Sequence, residues 1–203
     1  FGLITKDGKK LSTRSGRIVL LEEVLDDAVK LAQKQIEEKN PALENKAEVA
    51  EAVGVGAVVF HDLKNDRLNN FDFNLEEVVR FEGETGPYVQ YSHARAMSIL
   101  RKAGNPGLDA SGKYRLDDSE AWETLRLLAD FPATVLKAVE EYEPSVIAKY
   151  GIHLAKAFNR YYAHSRILED DDQKEALLAL VKSVAEVLKE SLRLLGVKAP
   201  DEM

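Results

Sequence analysis

From Leu21 to Leu195 the apolar residues of this chain recur three and four positions apart, and that period restricts the fold more than any other feature. Leu21, Val24, Leu25, Ala28, Leu31, Ala32 and Ile36 describe one face of a helix, which Asn40-Pro41 ends because a residue before proline is driven out of the α region. A second helix is expected over Lys46 to Leu63, with Val49, Val53, Ala57, Phe60 and Leu63 inward and Gly54 and Gly56 permitting close approach. Those glycines weaken an isolated helix, so packing must compensate. Asn74 is placed to cap a short helix over Leu75 to Phe81. Pro87 suits the first turn of a helix over Tyr88 to Ala103, which Gly104 closes.

Asp117 is a candidate cap for a helix through Asp130, and Phe131-Pro132 is expected to begin another. Glu143-Pro144 resets the chain for a long helix to about Ile167, and the last, over Gln173 to Leu195, has a broad apolar face before Gly196. Before all this, Leu3 to Leu11 reads as two short segments around Asp7-Gly8, a dipeptide suited to the positive φ of a hairpin turn. The fold class is therefore mainly α, a helical bundle preceded by a short β-hairpin and loop. The expected organisation is a hairpin unit over residues 1–20, a connecting helix over 21–45 and a helical domain over 46–203.

With 203 residues, 45% of them hydrophobic, the chain can bury one substantial core. No apolar run is long enough to span a bilayer and no charged-then-apolar leader opens it, so a cytoplasmic location is expected and Phe1 reads as a cut point. It contains no cysteine, which excludes disulfides, zinc thiolates and thiol chemistry, and its four histidines are too scattered to suggest a metal cage. The net charge of −7 argues against indiscriminate coating of nucleic acid. Any RNA contact must use local basic patches, and two are present: Lys6, Lys9, Lys10, Arg14 and Arg17, and later Arg95, Arg101, Lys102, Lys113 and Arg115.

The segment Lys9-Lys10-Leu11-Ser12-Thr13-Arg14-Ser15-Gly16 combines mobile cations with hydroxyls, chemistry suited to a polyphosphate, although a solvated surface hairpin has the same composition. Lys10-Leu11-Ser12-Thr13-Arg14 resembles the KMSKS signature of class I aminoacyl-tRNA synthetases in the KMSTR form of the arginyl family. Gly83-Glu84-Thr85-Gly86-Pro87-Tyr88-Val89-Gln90-Tyr91-Ser92-His93-Ala94-Arg95, Phe158-Asn159-Arg160-Tyr161-Tyr162, and the close from Leu194 through Pro200 to Met203 are similar to further segments of that family, in the same order.

The resemblance implies ATP-dependent joining of arginine to its tRNA, with ATP and Mg2+ used by the complete enzyme and none held by this segment alone. It assigns Lys9, Lys10 and Ser12, with Thr13 and Arg14, to a loop that closes over ATP and stabilises pyrophosphate. Thr13 replaces the lysine of the general class I signature, and Lys9 is the natural substitute. The nucleotide-binding fold, the HIGH signature and the arginine pocket are absent, so this segment by itself is expected to be inactive.

Tyr88, Tyr91 and Arg95 share one helical face and supply rings and a cation for an unstacked RNA base. On residues alone the tyrosines read as half-buried core, and the resemblance reverses that reading, because the arginyl family sets tyrosines of this segment against anticodon bases. Arg101 is a further RNA candidate, as is one of Tyr161 and Tyr162, and Met203 is implied in the same pocket. His93, His153 and His164 lack a carboxylate partner at ligand spacing and are read as structural. Trp122 is expected in the core, because Leu125 and Ala129 continue its face. The expected partners are an arginine-accepting tRNA and, in the complete enzyme, arginine and ATP. A monomer without membrane contact is expected. A protein-interaction module derived from this fold, and the anticodon domain of another class I synthetase such as the cysteinyl enzyme, are the competing readings.

Overall fold

Helical periodicity becomes seven helices among the described residues of the computed structural model, which are 2–6, 8–10, 20–107, 114–116, 121–165, 167–168 and 173–203. Helix α1 spans Leu21–Lys39 and α2 Lys46–Lys64; a four-residue α3, Leu75–Val78, leads to α4, Gly86–Lys102. Helices α5 (Ala121–Glu140), α6 (Ser145–His164) and α7 (Lys174–Leu194) complete the bundle. Strands β1 (Ile4–Lys6) and β2 (Lys9–Lys10) form the expected antiparallel hairpin, with Gly8 at φ +70° in its turn.

The local signals operate as their chemistry requires. Asn74 Oδ1 accepts the Glu77 amide at 3.2 Å, which satisfies an otherwise orphaned donor at the start of α3. Thr85 Oγ1 accepts the Tyr88 amide at 3.2 Å and donates to the Arg80 carbonyl at 2.6 Å, fixing the angle at which the chain enters α4. Helices α1 and α2 cross where Gly54 faces the backbone of Val29, so closely that a Cβ there would lie 2.6 Å from Val29 N and Cα. Gly86 meets Gly56 and Phe60 in the same manner where α4 crosses α2.

Two apolar clusters result. Ala28, Ala32, Ile36, Leu43, Val49, Val53 and Phe81 form one between α1, α2 and α3. Phe60, Val89, Ile99, Leu154, Phe158, Val181, Leu188 and Leu192 belong to the larger one, shared by α2, α4, α6 and α7. Helix α2 contributes to both, which welds the hairpin side of the molecule to the bundle.

Three expectations are corrected here. First, no strand was expected between the helices, yet residues 69–74 contain a strand β3 (Phe71–Asp72) that pairs in parallel with β1, giving the order β2-β1-β3. Asp72 Oδ1 also accepts from Thr5 Oγ1 at 2.7 Å and from Gly8 N at 3.1 Å, so the hairpin is pinned by a residue 64 positions beyond its turn.

Second, α5 runs unbroken through Pro132 instead of restarting there. Pro132 lies on the exposed side, where water can solvate the carbonyl it frees, and the Tyr150 hydroxyl donates to the Leu127 carbonyl at 2.7 Å in the turn that the ring crowds. Phe131 packs on Tyr150 with centroids 5.3 Å apart, holding both halves of α5 to α6.

Third, Trp122 is 70% exposed. The spacing of Trp122 and Ala129 marks a common face, but the side of α5 that is buried carries Ala121 and Thr124 instead. Among the described residues no helix is long and apolar enough to cross a membrane.

Candidate nucleic-acid interface

The side chains with RNA-binding chemistry converge where the C-terminal halves of α4 and α6 meet the end of α1 and the last residues of the chain. A concavity of about 780 Å³ opens there, lined among others by Asn40, Tyr91, Arg95, Arg101, Tyr162 and Met203. Capping by Thr85 sets the register of α4 and places Tyr88, Tyr91 and Arg95 on the face turned to α6 and the tail.

Arg95 is the centre of this arrangement. Its guanidinium lies 4.9 Å from the Tyr91 ring centroid and 5.4 Å from that of Tyr162, so two aromatic faces flank one cation. Its Nη1 donates to Asn159 Oδ1, and the same amide donates through Nδ2 to Tyr88 Oη at 3.0 Å and to Ser92 Oγ at 2.7 Å. Asn159 thus uses both donors and its acceptor, which fixes the orientation of the amide and of the three groups around it. Tyr91 leans on Phe81 with centroids 6.1 Å apart, and Lys39 sits 5.3 Å over the Phe81 ring.

Residues 197–203 fold against α4 on the opposite side, where Glu202 and Met203 line the concavity. Gln90, fully buried, donates to the carbonyls of Ala52 and Lys198 at 3.1 and 2.7 Å. His93, 1% exposed, faces the Ala185 carbonyl with Nδ1 and Asp201 Oδ1 with Nε2, each at 3.0 Å. Both are acceptors, so whichever ring nitrogen carries a proton has a partner to donate it to. Arg101 donates from Nη1 to the Asp201 carbonyl at 3.1 Å and pairs through Nε with Glu202 at 3.2 Å. Asn40 Nδ2 donates to the Met203 main-chain oxygen at 3.2 Å, which brings the Met203 side chain against the α1/α2 cluster.

The predicted residues therefore divide. Tyr88, Tyr91, Arg95, Tyr162 and Met203 come together. Arg101 lines the same concavity but is committed to the tail. Of the two candidate tyrosines, Tyr161 is 2% exposed and belongs to the core, whereas Tyr162, 39% exposed, faces Arg95. The backbones of Lys9 and Lys10 form β2, while Ser12, Thr13 and Arg14 lie outside the described residues. His93 does have a carboxylate partner, contrary to expectation, and its role is structural as expected. Asn159 and Asn40 were missed as site residues; the signal for Asn159 was its place one turn before Tyr162 in the Phe158-to-Tyr162 segment.

Comparison with known proteins follows the same lines. Residues 89–203 match the DALR anticodon binding domain, and residues 1–75 match the catalytic domain of class I (R) tRNA synthetases. Arginine–tRNA ligase of Ligilactobacillus salivarius is 80% identical and that of Lactiplantibacillus plantarum 73% identical, each across the whole of this chain and 36% of the relative. The chain thus spans about a third of the length of the curated relatives it matches. Thermus thermophilus arginyl-tRNA synthetase superposes with a TM-score of 0.88 at 38% identity, over 99% of this chain and 34% of that one.

Proposed function

Because the chain belongs to the arginyl-tRNA synthetase family and carries its DALR anticodon binding domain, we propose that its concavity holds unstacked bases of the anticodon loop of an arginine-accepting tRNA. The observation that carries this reading is the Arg95 guanidinium held between Tyr91 and Tyr162. Rings that already hold a cation offer stacking surfaces to a base, and stacking of this kind is worth about 1–3 kcal/mol per base. The guanidinium directs its remaining donors to a base edge or a phosphate. Met203 supplies a flexible apolar contact on the far side, and Tyr88 offers a hydroxyl already oriented by Asn159.

In this reading residues 46–203 form the anticodon-binding body, 21–45 connect, and 1–20 belong with the catalytic domain of the complete enzyme. That enzyme uses ATP with Mg2+ to activate arginine and transfers it to the tRNA. Lys9, Lys10 and Ser12, with Thr13 and Arg14, serve the ATP and pyrophosphate end of that reaction in the cytoplasm.

Binding of the chain to an arginine-accepting tRNA transcript tests the proposal, with an anticodon-loop mutant and a non-cognate tRNA alongside. Preferential binding that falls at least tenfold in Tyr91→Ala is expected. Equal binding of all three RNAs, or a Tyr91→Ala variant as selective as the parent, overturns it.

A further inference from the structure

Helices α4 and α6 pack side by side and differ from every other long helix of the described structure in containing no Asp or Glu, although the chain carries 35 acids in 203 residues. Helix α6 adds a second regularity. Lys149, His153, Lys156, Arg160 and His164 recur at four, seven, eleven and fifteen positions from the first, all on the face opposite the buried Ile147, Leu154, Phe158 and Tyr161. The stripe extends about 22 Å along the helix.

Its position is the informative part. Lys156 pairs with Glu84, just before α4, at 2.8 Å; on the next turn Asn159 joins Tyr88, and one turn later Tyr162 meets Arg95. Lys149, Lys156 and Arg160 therefore stand on α6 beside the face that carries Asn159 and Tyr162 to the concavity, with no acid of their own helix among them. Among the described residues two acids from outside touch the stripe: Glu84, whose carboxyl is held below the usual range by its hydrogen bond from Lys156, and Glu123, 2.9 Å from Arg160.

A protein of net charge −7 that approaches a polyanion must confine the contact to a surface from which its own acids have been removed. We propose that the exposed face of α6 is a track for the phosphate backbone of the base-paired RNA stem that continues from the loop held in the concavity. The inference rests on the anticodon-loop reading above and extends it to a separate surface. Lys149, Lys156 and Arg160 supply its charge, and Glu84 and Glu123 hold two of them in place until phosphate replaces the carboxylates.

The test uses the chain with two RNA probes, the complete arginine-accepting tRNA transcript and its anticodon loop closed by a short stem, in a salt series. Each phosphate contact on a duplex contributes about 0.9 to the slope of log affinity against log salt. The triple variant Lys149→Gln/Lys156→Gln/Arg160→Gln should lower the magnitude of that slope by about 2 to 3 for the complete tRNA. It should leave binding of the short stem-loop, and discrimination against a substituted anticodon, unchanged. A charge-matched control, Lys30→Gln/Lys34→Gln/Lys137→Gln, should leave the slope as it was, and Glu84→Gln/Glu123→Gln should tighten binding of the complete tRNA.

Discrimination retained with no change of slope in the triple variant refutes the track while sparing the anticodon reading. Absence of discrimination in the parent chain removes both. A control that lowers the slope as much as the stripe variant also refutes the track, since net charge alone would then account for the effect.

Discussion

Replacing Gly54 with alanine isolates the contact on which the α1 wall of the site depends. The added Cβ would stand 2.6 Å from both N and Cα of Val29 and 2.8 Å from the Ala28 carbonyl carbon. These are backbone atoms of a helix, which cannot rotate aside as a side-chain terminus can, so α1 must retreat by about 1 Å to restore ordinary contact. Overpacking of this kind costs about 1–3 kcal/mol, and the rigid neighbour places Gly54→Ala at the upper end. Against that, alanine in a helix interior is favoured over glycine by about 1 kcal/mol. The net is a loss of about 2 kcal/mol, which for a chain of this size lowers Tm by about 4–8 °C.

Thermal unfolding followed by circular dichroism measures the change, with Gly107→Ala as the control, since nothing lies within 4 Å of a Cβ at that position. Displacement of α1 also moves Asn40, so affinity for the tRNA should fall with stability in Gly54→Ala alone. A Gly54→Ala protein that melts at or above the parental temperature would refute the argument, because helix propensity would then have outweighed the close approach.

Further outcomes follow from other contacts. Asn159→Asp preserves shape but sets a carboxylate against Arg95; melting should stay near that of the parent while tRNA affinity falls roughly tenfold, about 1.4 kcal/mol, in a filter-binding titration. Unchanged affinity there would exclude Arg95 from RNA contact. Burial against Phe71 and Phe73, with ring centroids 5.4 and 5.7 Å away, and the nearby Lys64 hold the His61 imidazole below its ordinary pKa. The unfolded chain therefore binds the extra proton first, and stability present above pH ~6.5 should decline as the pH falls toward the folded-state value. In His61→Gln the dependence of urea midpoint on pH between 7 and 5 should be flatter than in the parent.

Helices α1, α3, α4 and α7 were legible because each carries its own punctuation, Pro41 after α1, Asn74 before α3, Pro87 at the start of α4 and Gly196 after α7, whereas Pro132 marked a break that α5 does not make. The hairpin was legible for the same reason. What escaped depended on partners far away in sequence. Strand β3 is two residues long and exists because β1, 66 or 67 positions earlier, offers an edge. The carboxylate that faces His93 belongs to Asp201, 108 residues on. Periodicity also identifies a face without saying what covers it, which is why Trp122 could be assigned to the core, and why Tyr161 and Tyr162 could not be separated until α4 was seen beside them. At the site, the tyrosines and Arg95 were visible as chemistry, whereas the role of Asn159, one turn before Tyr162, shows only when α4 brings Tyr88, Ser92 and Arg95 to its amide.

The packing of residues 197–203 against α4 has a consequence for synthesis. Gln90, His93, Arg101 and Asn40 are made long before the carbonyls and carboxylates they bind, with up to 163 residues between partners. Closing so long a loop is entropically costly, and contacts of this separation form late. A nascent chain whose helices form before residues 197–203 are added would present Tyr91, Arg95 and Tyr162 on an open shelf, which Glu202 and Met203 later enclose. Assembly of the binding surface then follows assembly of the helices that carry it.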